Sequence, residues 1–222
     1  FAPASLLKVP AMIACFKQAE SDPKFLTRIV KNNVKEDRNA HQNIKSSETI
    51  KHGRSYTLDE LIYRMIVYSD NNAMSLVLKN VNVDMLVRSY VDMGVNVPAD
   101  EKEDFMSVKN YASFFRILFN SSYLNKDMSE KALEYLANVD FRQGFVASVP
   151  TDVMVAHKFG ERTMGTDNSI KQMHDCGIVY YPDHPYLLCV MTRGDSFERL
   201  DDTIRGISRL VFEEVNLQYS KQ

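Results

Sequence analysis

The chain lacks the features that would assign it to a membrane, a nucleic acid or a metal. No apolar run in its 222 residues approaches the roughly 20 consecutive apolar residues that a bilayer-crossing helix needs. Its first residues do not read as a secretory signal. Positive charge is not in excess: 27 Lys and Arg stand against 29 Asp and Glu, a net charge of −2, so there is no electrostatic footprint for nucleic acid. Cysteine is scarce. Cys15, Cys176 and Cys189 are odd in number and without Cys-x-x-Cys spacing, which argues against a disulfide framework and a zinc site. Cys15 lies in an apolar helical run and reads as a buried thiol. Cys176 and Cys189 fall on neighbouring predicted strands; a cross-strand bridge is open to them, but free thiols are the expected state. Internal repeats and low-complexity tracts are absent. With 45% hydrophobic and 25% charged residues the composition is that of a folded protein, and the length bounds it at one domain, or one domain made of two lobes.

What is present is concentrated at the beginning, Phe1-Ala2-Pro3-Ala4-Ser5-Leu6-Leu7-Lys8-Val9-Pro10. Ser5 stands at the mouth of a predicted helix and Lys8 follows three residues later, so hydroxyl and amine share a face. A serine needs a base within hydrogen-bond reach to become a nucleophile, and a lysine whose charge is suppressed can serve. At a helix start, Ser5 also places a backbone N–H where negative charge would develop on an attacked carbonyl. The bland alternative is a helix cap followed by a solvent-facing lysine. A second Ser-x-x-Lys, Ser21 to Lys24, reads as a polar turn. The first differs in being followed by the apolar run Val9 to Phe16, which would hold the serine rigid. The chain begins within a few residues of this motif, from which an upstream segment of a longer precursor is expected.

Farther along, residues 31–54 are polar and read as a long surface excursion with little regular structure. Thr57-Leu58-Asp59-Glu60 is a capping box opening a helix with Leu61, Ile62, Met65 and Ile66 on its buried side. Helices are predicted after Ser69-Asp70-Asn71-Asn72, over 83–93 with Gly94 as its stop, over 108–119, and from Asp127 or Met128 to Asn138. Residues 152–161, 171–181 and 186–193 are β-rich, the last two forming a hairpin across Pro182-Asp183-His184-Pro185. An amphipathic helix closes the chain over 201–219. The fold class is α/β (α+β): an antiparallel sheet flanked by helices, plus an all-helical lobe. One domain over 1–222 is expected, with the helical lobe at about 20–150, the sheet lobe at about 151–222 and helix 5–19 between them. Three strands make a thin sheet with an open edge, from which partner strands upstream of Phe1 are expected.

Two further clusters could carry chemistry. Ser69-Asp70-Asn71 sits on a tight helix-to-helix connection that can project a hydroxyl and an amide into a cleft while the aspartate holds the turn. The same residues are also the standard helix caps. His157-Lys158-Phe159-Gly160-Glu161 lies on a predicted strand. Lys158 would face a cleft and Gly160 would let a ligand backbone approach closely; the alternative is an edge-strand lysine that discourages aggregation. His157 reads as packed or capping, with no second histidine at metal-ligand spacing.

Taken together, the three clusters resemble those of the serine β-lactamases and penicillin-binding D,D-peptidases, nearest to the class A β-lactamases. That superfamily carries Ser-x-x-Lys at a helix start, Ser-Asp-Asn on a loop of the helical lobe and Lys-Thr/Ser-Gly on a strand bordering the cleft; here these are Ser5–Lys8, Ser69–Asn71 and Lys158–Gly160, in the family's order. The resemblance implies a β-lactamase/transpeptidase-like fold whose upstream part adds a helix and two strands to make a five-stranded sheet. It implies that Ser5 attacks the carbonyl of a β-lactam or D-alanyl-D-alanine peptide and that Lys8 takes its proton. The backbone N–H groups of Ser5 and Glu161 would form the oxyanion hole, Ser69 would relay a proton to the leaving nitrogen, Asn71 would bond the substrate amide, and Lys158 would attract its carboxylate. It implies no metal or organic cofactor, a small-molecule partner, and a periplasmic, secreted or membrane-tethered protein.

Three departures qualify this. Phe159, which with Lys158, Gly160 and Glu161 the resemblance places among the substrate-binding positions, stands where the family has Thr or Ser, and Cys176 where many class A enzymes place a carboxylate-binding arginine. A missing hydrogen bond to a charged group costs roughly 1.5–3 kcal/mol, about ten- to a hundredfold in affinity. The Glu-x-x-Leu-Asn pattern that supplies the deacylating base is absent, with only Glu101 or Glu103 as stand-ins. An acyl-enzyme that forms and then persists is therefore expected, with a non-hydrolytic penicillin-binding receptor, sensor or scaffold as the alternative and an esterase as a third option.

Overall fold

The computed structural model describes residues 1–95 and 106–219. Its centre is helix α1 (Lys8–Ser21), entered through a 3-10 turn over Ala4–Leu7. Ten of its fourteen residues are buried, including Val9, Met12, Ile13 and Phe16. Apolar residues on every side of a helix mark one that is enclosed on every side. Helices α2 (Leu58–Val67), α4 (Val83–Asp92) and α6 (Lys126–Ala137) pack on it. The remaining helices are α3 (Asn71–Asn80), α5 (Val108–Phe119) and α7 (Phe197–Tyr219).

Local chemistry sets these boundaries. The capping box of α2 forms as written: the Thr57 side chain accepts from Glu60 N, and Glu60 reaches back to Thr57 N at 2.7 Å. Asp70 caps α3, Asn82 caps α4 and Ser107 caps α5. Helix α6 starts earlier than the sequence suggests because Asn125 caps it by accepting from Met128 N. Helix α7 starts at Phe197 rather than 201. Gly94 adopts φ +73° after α4, the left-handed stop expected there.

Strands β3 (Val155–Met164), β4 (Ile170–Val179) and β5 (Tyr186–Gly194) form an antiparallel sheet in that order. Helix α7 packs on β4 and β5, as does α5, while α6 packs on β3. The β4–β5 hairpin has the predicted turn, with Asp183 at φ +58°. Gly177 is fixed by close strand approach: a Cβ there would lie 2.3 Å from the Ala156 carbonyl oxygen.

One expectation is corrected. Cys176 and Cys189 are direct cross-strand partners, and their sulfurs are bonded. The 31–54 segment is the surface excursion expected, mostly exposed and with little regular structure. Its ends are tied by a two-stranded ladder, β1 (Ile29–Lys31) with β2 (Ser55–Thr57), and Asn32 and Asn39 within it are buried. These two amides are hydrogen-bonded, as buried polar groups require.

Candidate active site

The 3-10 turn brings the first motif together. With three residues per turn, side chains at i and i+3 eclipse, and Lys8 Nζ lies 2.8 Å from Ser5 Oγ. The residue before the serine, Ala4, is held at φ +50°, a left-handed conformation that alanine avoids. Ser69, on the α2–α3 connection, is held likewise at φ +55°. Two strained residues thus flank one point in space.

Lys8 is enclosed, with 2% of its surface exposed. Its Nζ has four oxygens around it: Asn71 Oδ1 at 2.7 Å, Ser5 Oγ at 2.8 Å, the Ser69 carbonyl at 2.9 Å and Ser69 Oγ at 3.1 Å. Desolvation lowers its pKa from 10.5 to about 7, partly offset by the Asp70 and Glu161 carboxylates. A neutral amine has two N–H bonds and one lone pair. The Asn71 and Ser69 carbonyl oxygens can only accept, so they take the two N–H bonds. The lone pair is left for a hydroxyl proton, that of Ser5 or Ser69.

Lys158 is fully buried and donates to Ser69 Oγ at 3.1 Å and to the Phe159 carbonyl at 3.0 Å. Burial and the neighbouring Lys8 charge lower its pKa, and Asp175 opposes them. One hydroxyl, that of Ser69, therefore bridges two lysine nitrogens, and it can accept from one while donating to the other.

The turn carrying Ser69 is set by Asp70, which is fully buried. Its carboxylate accepts from Asn72 N, Ala73 N, Asn39 Nδ2 and Ile50 N. In return Asn39 Oδ1 accepts from Asn71 N at 2.7 Å. The excursion thus also supports the second motif through Asn39 and Ile50, a role that its asparagines did not signal in isolation.

A cleft of about 840 Å³ opens beside these groups, lined among others by Ser5, Lys8, Asn71, Glu161, Arg162 and Lys171. Not every predicted contact residue reaches it. Phe159 is 6% exposed and stacks on Phe141 at 4.1 Å, so it is a core side chain and not a cleft wall. Lys158 lies behind Ser69 and does not line the cleft. Gly160 is required by the chain itself: a Cβ would sit 3.0 Å from the Pro3 carbonyl oxygen and 3.1 Å from Leu6 N. The close approach expected of a ligand is made by the Ser5 turn. Glu161 turns its carboxylate to the 38–44 segment, accepting from Asn43 and Ile44. Glu101 and Glu103 lie outside the described residues.

Sequence reasoning missed the pair His157–Asp175, buried behind Lys158 with Nδ1 and Oδ1 2.8 Å apart. Their positions on adjacent strands, two steps off register, gave no signal at the sequence level. Cys176, the cross-strand partner of Lys158, is taken up in the disulfide. Among the described residues no cluster of His, Cys, Asp and Glu could hold a metal.

A mixed fold with a serine and two buried lysines around one hydroxyl defines a serine-hydrolase arrangement. The chain belongs to the β-lactamase enzyme family, whose model matches residues 1–215. It is 25% identical over 206 residues to the β-lactamase OXY-2 of Klebsiella oxytoca, covering 86% of this chain and 67% of that one. In fold it is similar to a β-lactamase of Sphaerobacter thermophilus, with TM-score 0.81 at 20% identity over 98% of this chain and 84% of that one. A β-lactamase of Chitinophaga pinensis gives TM-score 0.81 at 20% identity over 97% and 86%. A PBP-A mutant solved as an acyl-enzyme complex with penicillin G gives 0.77 at 19% identity over 97% and 82%.

Proposed function

We propose that the chain is an acyl-enzyme-forming serine hydrolase that takes β-lactams or D-Ala-D-Ala-type peptides and deacylates slowly. One observation carries this reading: Lys8 Nζ, with its pKa near neutrality, lies 2.8 Å from Ser5 Oγ with both carbonyl neighbours already taking its N–H bonds. In acylation, Ser5 Oγ bonds to the substrate carbonyl carbon and its proton passes to Lys8 Nζ. The C–N bond then breaks, and the leaving nitrogen takes a proton through Ser69 Oγ, which is bonded to both lysines. The backbone N–H groups of Ser5 and Glu161 hold the oxyanion. Asn71 serves the substrate amide, and Lys158 supplies positive potential through Ser69 rather than by contact. Without the family's Glu-x-x-Leu-Asn pattern, no base is assigned to the deacylating water, so the ester outlives its formation.

The family and the acyl-enzyme formed by the PBP-A mutant support the substrate class. The Cys176–Cys189 bridge supports a location outside the reducing cytoplasm, and no helix among the described residues is long and apolar enough to cross a membrane. The test is intact-mass measurement over time with one penicillin. An adduct that forms, persists and is abolished by Ser5→Ala is expected; no adduct overturns the proposal. Adduct formation with no eventual loss selects the receptor reading, which the buried Phe159 in the third motif favours.

A further inference from the structure

Residues 38–44 cross the cleft from one wall to the other. On the helical side, Gln42 Nε2 donates to the Ser69 carbonyl at 2.9 Å, and Asn71 Nδ2 donates to the Arg38 carbonyl at 3.2 Å. On the sheet side, the Glu161 carboxylate accepts three N–H groups from two successive residues: Asn43 N at 2.8 Å, Asn43 Nδ2 at 2.6 Å and Ile44 N at 3.2 Å. Arg38, His41, Gln42 and Asn43 line the same cleft as Ser5 and Lys8. The strap therefore lies where substrate must enter. It also occupies one of the two Asn71 amide N–H bonds, on the group assigned above to a substrate's amide.

A strap closed by charge-assisted bonds on a solvent-facing carboxylate is held firmly but reversibly. We propose that the Asn43–Glu161 clasp determines which acyl donors reach Ser5. Compact β-lactams react with the strap in place. Those with a bulky acylamino side chain react only through the fraction of molecules whose strap has lifted, because the strap otherwise fills the space and holds one of the Asn71 N–H bonds. This rests on the Ser5 reading and adds the selection of substrate by size. Removing one bond to a charged acceptor raises the lifted fraction about tenfold or more.

The experiment compares acylation rates by intact mass for 6-aminopenicillanic acid, which has no acyl side chain, and piperacillin, which has a large one. Parent, Asn43→Ala and Glu161→Gln proteins are used. The piperacillin-to-nucleus rate ratio is expected to rise about tenfold in Asn43→Ala, while the compact substrate, which also reports correct folding, keeps its rate within about twofold. A ratio unchanged in both variants overturns the clasp. Hydrogen exchange at the Asn43 and Ile44 amides is read in parallel, and it is expected to be slow in the parent and fast in Glu161→Gln. Should the parent form no adduct with either compound, the Ser5 reading fails. The clasp is then decided by exchange alone: protected amides released by Glu161→Gln sustain it, and amides already unprotected in the parent overturn it.

Discussion

Replacing Lys8 by methionine separates what this lysine does for chemistry from what it does to stability. The side chain is enclosed, and burial brings its pKa from 10.5 to about 7. The difference, 10.5 − 7 = 3.5 units, corresponds to about 5 kcal/mol at roughly 1.36 kcal/mol per unit. Between pH 7 and 10.5 the unfolded chain binds this proton and the folded one does not. Stability therefore rises with pH across that window, and the full penalty is present below pH 7. Methionine carries no such penalty, but it leaves the Asn71 and Ser69 carbonyl oxygens without their donor, each loss costing about 1–2 kcal/mol. Lys8→Met should thus be more stable than the parent by about 1–3 kcal/mol at pH 6, and the gain should vanish or reverse by pH 10. Paired urea titrations at the two pH values measure this, since other titrating groups cancel in the difference. The parent's acylation rate should climb about tenfold per unit below pH 7 and level off above it, as a base with that pKa requires. Lys8→Met should lose roughly 10²–10⁴-fold. A flat rate from pH 5 to 9, or a stability gain of the variant over the parent no larger at pH 6 than at pH 10, would refute the reasoning.

Asp70→Ala leaves four N–H donors without their carboxylate in the interior, and its urea midpoint should report a loss of about 3–5 kcal/mol; a loss under about 1 kcal/mol would mean water replaces the carboxylate. His174 is buried against the Ala2 carbonyl with its pKa lowered by burial from 6.5 to about 4. The unfolded chain holds that proton between pH 4 and 6.5, so stability should fall by about 3 kcal/mol as pH drops through this window. His174→Gln should flatten the curve, and an unflattened one would place the acid sensitivity elsewhere. Gly160→Ala presses a methyl group onto the Pro3 carbonyl and Leu6 N, displacing the turn that holds Ser5. It should lower acylation about tenfold or more while leaving a cooperative thermal transition; an unchanged rate would show that the turn adjusts without moving Ser5.

What the sequence disclosed was local. The i, i+3 spacing of Ser5 and Lys8, the capping box at Thr57 and the hairpin around Asp183 all follow from rules that operate within a few residues, and each appears in the structure at the expected place. What it concealed was long-range. Asn39 reaches Asp70 across 31 positions, and Asn43 reaches Glu161 across 118. Neither contact is periodic, and asparagine is more often solvated than buried. Phe159 was misjudged for a related reason. A strand residue next to a cleft lysine invites a substrate contact, but the partner that claims this ring, Phe141, lies in an irregular stretch that no pattern connects to β3. The disulfide was equally unreadable, because bridging depends on register, and a one-residue slip would turn the two sulfurs to opposite faces.

The same distinction separates groups that destabilise the fold from groups that hold it. Ala4 and Ser69 sit in a left-handed conformation that costs roughly 1–3 kcal/mol each, and Lys8 and Lys158 are buried against the preference of their charged forms. These four surround a single hydroxyl, that of Ser69, or adjoin Ser5. Around them are groups of the opposite character: Asp70 with its four donors, Gly160 fitted to the Ser5 turn, and an α1 enclosed on every side. An ordinary polar core would show no such partition, since every buried group in it would lose stability on removal. Here substitution at the strained centre should gain stability and lose acylation, whereas substitution in the surrounding anchors should lose stability first. Opposite signs at Lys8, 61 positions before the Ser69 hydroxyl it bonds, and at Asp70, the residue directly after that serine, are what a site under chemical selection produces.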